Sequence, residues 1–99
     1  MKIEILDEAQ QDLLEGFHFY ECIEIGLGSY FFNSLLSDID SLVVYAGIHP
    51  IVFGYYRALS KRFPFAIYYE FQDEMVQVYA VLDCRRNPTW IRQRLQRQN

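Results

Sequence analysis

Residues 62–71, Arg62-Phe63-Pro64-Phe65-Ala66-Ile67-Tyr68-Tyr69-Glu70-Phe71, decide how this chain folds. Phe63, Phe65, Ile67, Tyr69 and Phe71 fall on alternate positions, the two-residue period of a strand whose one face is apolar. The other face reads Pro64, Ala66, Tyr68, Glu70. Pro64 has no amide hydrogen, so it belongs at the start of the strand or on an edge. Beyond it, Gln72-Asp73-Glu74 is a turn leading to a second strand, Met75–Asp83. Val76, Val78, Ala80 and Leu82 form the expected core face there, with Gln77, Tyr79, Val81 and Asp83 opposite. The two strands make a hairpin. Upstream, Phe53–Ser60 is a third strand candidate and carries Arg57.

Further out the period changes. Lys2–Leu6 alternates as a short strand, and Asp7 is placed to cap a helix, with Gln10 three residues on as a capping box requires. Ala9, Leu13, Phe17 and Tyr20 recur at helical spacing, Leu14 widens that stripe, and Asp12, Glu15 and Glu21 take the outer surface. Gly26-Leu27-Gly28 ends this helix and Ser29 can cap the next. In that second helix Phe32, Leu35, Leu36, Ile39, Leu42 and Val43 are spaced by threes and fours, and Gly47 and Pro50 stop it. Pro88 opens a last helix through Trp90 to Gln98, on which Trp90 and Arg94, or Ile91 and Leu95, share a side. The order is β-αα-βββ-α. The expectation is an α+β, two-layer fold: an antiparallel β-sheet packed against an α-helical hairpin on one face. The other face, carrying Tyr68, Glu70, Gln77, Tyr79 and Asp83, is expected to meet solvent and to offer a place for a partner.

Composition bounds the function. The 99 residues suit one domain spanning 1–99, which buries roughly 65% of its unfolded surface. Hydrophobic residues are 52% and charged residues 22%, which excludes a disordered chain. A net charge of −4 argues against a uniformly basic nucleic-acid binder. That charge is unevenly spread: residues 1–56 hold one base, Lys2, against nine acids, and residues 57–99 hold eight bases against four acids. The asymmetry fits either a charged partner or two halves that neutralise each other in space. The first residues do not form a signal peptide, and no apolar run approaches the ~20 residues of a membrane span, so a cytoplasmic protein is expected. Cys22 and Cys84 have no metal-ligand spacing and read as free thiols, while His18 and His49 lack clustered partners. No cofactor or metal is expected.

Three stretches resemble a known family. Gly26-Leu27-Gly28-Ser29-Tyr30-Phe31, with Phe32 and Leu35-Leu36, is similar to the helix-hairpin turn of the RelE/ParE toxin superfamily. Tyr56-Arg57-Ala58-Leu59 and Lys61 through Tyr69 resemble its central strand pair. Val78 through Leu82, then Arg85-Arg86-Asn87-Pro88 and Trp90, resemble its last strand and tail. The resemblance implies the toxin of a type II toxin–antitoxin (plasmid stabilisation) pair, neutralised by a cognate antitoxin that covers apolar grooves, here expected along the helical hairpin and a sheet edge.

Within the family, RelE-like members are ribosome-dependent mRNA endoribonucleases and ParE-like members poison DNA gyrase. The resemblance places candidate catalytic roles on Arg57, Arg62, Asp83, Arg85 and Arg86, because guanidinium groups stabilise the charge that builds on a cleaved phosphodiester. Lys61, Tyr68, Tyr79, Trp90 and Arg94 are the candidate target-binding residues. Two departures favour the ParE-like reading. Asp83-Cys84 stands where many relatives place a histidine, and a carboxylate beside two arginines is a poor proton donor. The chain is also acidic, whereas a ribosome-directed toxin is expected to be basic. A degenerate toxin that keeps only antitoxin binding is the third alternative. Each candidate has a plainer role open to it: Arg57 can pair with Glu70 or Asp83, Arg86 with Asp83, and Trp90 can close the core edge. Whether the chain forms homo- or hetero-oligomers is left open.

Overall fold

A computed structural model of the chain describes residues 1–97. Its elements are β1 (Lys2–Ile5), α1 (Asp7–Ile23), α2 (Leu27–Asp40), α3 (Leu42–Tyr45), β2 (Ile51–Val52), β3 (Tyr55–Leu59), β4 (Phe65–Gln72), β5 (Met75–Asp83) and α4 (Pro88–Gln96). The strands form one five-stranded sheet in the order β1-β5-β4-β3-β2. The decisive stretch is thus the central strand. Phe65, Ile67 and Tyr69 face α1 and α2 and pack with Leu13, Tyr20, Phe31, Leu35 and Ile39. The α+β class and the helical hairpin on one sheet face are as expected. The expectation that α4 reaches Gln98 concerns a residue outside the described ones.

Three expectations about the sheet are corrected. The sheet is not wholly antiparallel: β1 pairs with β5 in parallel, Lys2 opposite Met75 through Ile5 opposite Val78. Alternation assigns a strand's faces but not its partner's direction, and the chain from α1 to β4 that separates β1 from β5 is ample for the crossover a parallel pair needs. The far face is not left to solvent. Ala66 and Tyr68 lie buried there under Ile91 and Leu95 of α4, with Tyr55, Ala80 and Leu82, and Tyr68 is only 3% exposed. Finally, β5 carries a bulge. Tyr68 pairs with Ala80 but Tyr69 pairs with Val78, so Tyr79 is an extra residue. An extra residue reverses the two-residue alternation beyond it. Val76, Val78 and Val81 therefore face the hairpin, while Ala80 and Leu82 face α4.

The turns also differ from the simplest reading. A two-residue strand, β2, precedes β3, and the tight hairpin between them puts Phe53 and Gly54 at φ 54° and 88°. Asp73 and Glu74, φ 53° and 59°, turn β4 into β5 in the same way. This is the mirror-image turn that matches strand twist, and each non-glycine residue in it costs about 1 kcal/mol. Asp7 lies in the first turn of α1 behind Leu6 and makes no cap bond, though its charge still suits the helix dipole. Gln10 Nε2 reaches back to the Ile5 carbonyl at 2.7 Å. Nor does Ser29 cap α2, because the helix starts two residues earlier, after Gly26. The Glu21 carboxylate accepts the Gly26 and Gly28 amides instead, at 3.0 and 2.9 Å. Leu14 does not widen the core stripe but is half-exposed. The helices touch closely: a Cβ on Gly28 would lie 2.5 Å from the Phe17 carbonyl oxygen, and one on Gly16 would lie 2.4 Å from the Phe31 ring.

A candidate docking groove between α1, the β5 edge and α4

The end of β1 creates the site. Its last ladder partner is Val78, and the Leu6 amide still donates to the Val78 carbonyl at 3.0 Å. Beyond that the chain turns into α1, which leaves the outer edge of β5 from Val81 to Asp83 beside a helix. A strand-edge amide there needs an acceptor. Asp12 provides it: its Oδ2 accepts the Val81 amide at 3.0 Å.

Asp12 also holds α4. Its Oδ1 and Oδ2 accept Nη1 and Nη2 of Arg94, both at 2.8 Å. This is the paired geometry in which a guanidinium fork matches a carboxylate. Arg94 Nη2 donates to the Glu8 carbonyl at 3.4 Å, and its Nε lies 3.7 Å from Glu8 Oε1 without a hydrogen bond. Arg97 Nη2 stands 3.5 Å from the same Glu8 oxygen. Burial pushes the Asp12 carboxyl up, Arg94 and the Val81 amide pull it back, and the net shift is upward. Asp12 is therefore not on the outer surface, and Arg94 is buried in an internal ion pair rather than displayed to a target. Acids of the first half and bases of the second meet here, so part of the charge asymmetry is neutralised within the fold.

Above this clamp runs a groove of about 530 Å³, lined by Gln11, Glu15 and Phe19 of α1, Asp83 of β5, and Arg86 and Trp90 at the start of α4. The bulge at Tyr79 matters, because it turns Asp83 toward α1 and into the groove. Asp83 does not pair with Arg86. Its Oδ1 accepts the Arg85 amide and Nε at 2.8 and 3.0 Å, and its Oδ2 accepts Nη2 at 2.7 Å. Chiefly through these Arg85 hydrogen bonds, Asp83 is held below the usual carboxylate range, and Arg85 is raised in turn. Arg86 lies over the Trp90 ring, 3.9 Å from its centroid. Trp90 is 37% exposed and lines the groove rather than closing the core. The start of α4 is fixed by Asn87, whose Oδ1 accepts the Thr89 amide at 2.7 Å.

The remaining candidates lie elsewhere. Arg57 stands opposite Tyr68 in the β3–β4 ladder, on the α4 side of the sheet. It pairs with neither Glu70 nor Asp83; it interacts with the Tyr68 hydroxyl, and its buried Nε has no hydrogen-bond partner. Burial pushes the Tyr68 hydroxyl and the Cys84 thiol up, and the nearby Arg57 charge opposes both shifts. The Tyr79 ring lies 5.0 Å from that of Tyr55. Lys61 and Arg62 are exposed in the β3–β4 turn, which Asp38 fixes by accepting from Ser60 Oγ at 2.7 Å and the Lys61 amide at 3.3 Å.

Asp83, Arg85, Arg86, Trp90 and Arg94 thus gather around the groove; Arg57, Tyr68 and Tyr79 share the far face; Lys61 and Arg62 stand apart. Asp12 was missed, although its spacing with Ala9, Leu13, Gly16 and Tyr20 puts it on the buried stripe of α1. Among the described residues no group of three or more His, Cys, Asp or Glu is placed to hold a metal ion, and no helix is long and apolar enough to cross a membrane.

Neither a protein-family model nor a curated protein matches the chain. Among solved structures it is similar to a chain of the chromosomal ParDE TA system from P. aeruginosa, with a TM-score of 0.73 and 17% identity over 82% of this chain and 92% of that one. Identity this low speaks to the fold alone: the chain shares its fold with that chain of a ParDE system.

Proposed function

We propose that the chain is a single toxin domain, the toxin component of a type II toxin–antitoxin system. It is ParE-like: it acts by binding a protein target such as DNA gyrase and is neutralised by a cognate antitoxin. The fold shared with a ParDE-system chain supports the toxin class. The observation that favours binding over cleavage is the state of Asp83. At the position where a ribonuclease of this family is expected to keep a proton donor, the carboxylate is tied to Arg85 and held ionised. His49 is engaged with Tyr69, and His18 is exposed on α1. The five candidate catalytic residues are spread over the groove, the far sheet face and a turn.

The groove between α1, the β5 edge and α4 is the proposed antitoxin seat. It offers Phe19 and Trp90 as apolar walls beside the end of β5, a surface on which an extended or helical segment docks. Induced expression in a bacterium tests the reading. Growth arrest with DNA-damage signalling and intact messages is the expected result. Messages cut at codons during translation would replace it with the RelE-like reading, and absence of toxicity would leave a degenerate chain.

A further inference from the structure

We infer that two copies of the chain pair edge to edge along β1, antiparallel about a twofold axis at Ile3, so that Lys2 of each copy lies opposite Glu4 of the other. This inference does not rest on the toxin reading. β1 is an outermost strand of the sheet. Its parallel ladder uses alternate residues: the Lys2 amide donates to the Glu74 carbonyl and the Leu6 amide to the Val78 carbonyl, both at 3.0 Å. Glu4 stands between them in the same phase, so Lys2, Glu4 and Leu6 turn their main-chain groups toward β5. Those of Ile3 and Ile5 point to the outer edge. A row of such groups is a template for another strand. The Ile5 carbonyl is already engaged, because it accepts Gln10 Nε2 at 2.7 Å. That leaves the Ile3 amide and carbonyl and the Ile5 amide.

A second copy fits these groups in one register. Opposite residues of an antiparallel pair turn their main-chain groups both toward each other or both away, so a twofold axis falls on a residue that faces its own image. An axis at Lys2 or at Glu4 sets like charges face to face, which is unfavourable. An axis at Ile5 needs the carbonyl that Gln10 holds. An axis at Ile3 meets neither conflict. The two Ile3 residues exchange N–H···O=C bonds, and each Ile5 amide reaches the other copy's Met1 carbonyl. Lys2 then falls opposite Glu4 at a non-hydrogen-bonded pair, where side chains approach most closely.

The surroundings suit that register. Ile3 and Ile5 pack toward the helical hairpin, so Lys2 and Glu4 share the opposite face of the strand, and both are exposed. Glu4 Oε1 accepts Gln77 Nε2 at 3.0 Å, which holds the carboxylate beside the edge. α3 packs beside β1 and carries no charge from Leu42 to Tyr45, so it sets no like charges against their images. A lone lysine on an edge strand keeps copies apart. Here Glu4, two residues on, turns the same charge into an attraction, and Lys2-Ile3-Glu4 is complementary to itself. That favours a second copy over a strand of another protein. The strand is only four residues long and the net charge of −4 opposes association, so the dimer is weak and concentration-dependent.

Sedimentation velocity of the full chain from about 5 to about 200 µM reads this directly. The expected result is a shift from monomer to dimer. Glu4→Lys and Lys2→Glu should each weaken the dimer about tenfold, since two opposite-charge pairs become two like-charge pairs. The double variant Lys2→Glu, Glu4→Lys exchanges the two charges, restores both pairs and should recover the dimer. That recovery separates the register from any effect of the single changes on folding. Ile51→Glu, on the opposite outermost strand, should leave the dimer unchanged. A chain that stays monomeric throughout overturns the inference and leaves the edge to a strand of another protein. So does a dimer that ignores Glu4→Lys, one that the double variant fails to restore, or one that responds to Ile51→Glu instead.

Discussion

Asp12→Ala is the most severe single change the groove can suffer. It removes both acceptors of the Arg94 fork and the acceptor of the Val81 amide together. The Arg94 side chain, 9% exposed, would be left as an uncompensated buried charge. Breaking a buried pair from one side costs about 3–5 kcal/mol. In a chain whose whole stability is about 5–15 kcal/mol, that is a large share. At about 4–8 °C per kcal/mol the melting temperature should fall by roughly 12–40 °C. Arg94→Met should be milder, since burial already favours the neutral Asp12 carboxyl and the acid can take up a proton. The double variant Asp12→Leu, Arg94→Met replaces the pair by apolar volume and should recover much of the loss. Urea unfolding followed by circular dichroism and by Trp90 fluorescence measures all three. A loss under about 1 kcal/mol for Asp12→Ala, or a double variant whose loss equals the sum of the singles, would refute the claim that this pair clamps α4 to α1.

Other predictions address the core, the hairpin and pH. Phe31→Ala empties the ring cluster where Phe31 meets Tyr20, Phe63 and Phe65 at 4.8–5.1 Å, and should cost about 3–5 kcal/mol in chemical denaturation. Gly28→Ala drives a methyl against the Phe17 carbonyl and should cost about 1–3 kcal/mol, whereas an unchanged melting curve would mean the helices pack less closely. Asp83 is held below its ordinary 3.8, so it contributes stability above that pH that is lost as pH falls through its lowered value. Melting temperatures of Asp83→Asn and the parent chain should therefore differ at pH 7 and draw together as pH falls well below 3.8. His49 is shifted the same way by burial, below 6.5, and its Nδ1 lies 2.6 Å from the Tyr69 hydroxyl, which also accepts the Gly47 amide. Stability should fall as pH drops below 6.5, and His49→Gln should flatten that part of the profile.

The fold was legible because its strongest signals are local. Phe63 to Phe71 alternates without interruption, and the helical stripes of Leu13 and Tyr20 and of Leu35 and Ile39 need one apolar sheet face to cover them, although the ring that α2 buries is Phe31 and not the expected Phe32. What stayed hidden depends on pairing between distant residues. The bulge at Tyr79 leaves no mark in the alternation of β5, because Val78, Ala80, Val81 and Leu82 are apolar on either reading. Both faces of β4 are buried because Ile91 and Leu95 recur at helical spacing twenty residues away. In the site, Arg85 and Arg86 were recognised, but which of them holds Asp83 depends on the turn, whose geometry gives Asp83 to Arg85 and Trp90 to Arg86. Asp12 went unread because an acid on an apolar stripe is assigned to solvent until its arginine, eighty-two residues later, is seen to reach it.

The central claim is that this chain acts by binding a protein and not by cutting RNA. The most direct measurement adds the purified chain to DNA gyrase in a supercoiling assay, with a translating ribosome assay alongside. The account predicts loss of supercoiling, reversed by the cognate antitoxin, and intact messages in the ribosome assay. Cleaved messages with undisturbed gyrase would contradict it.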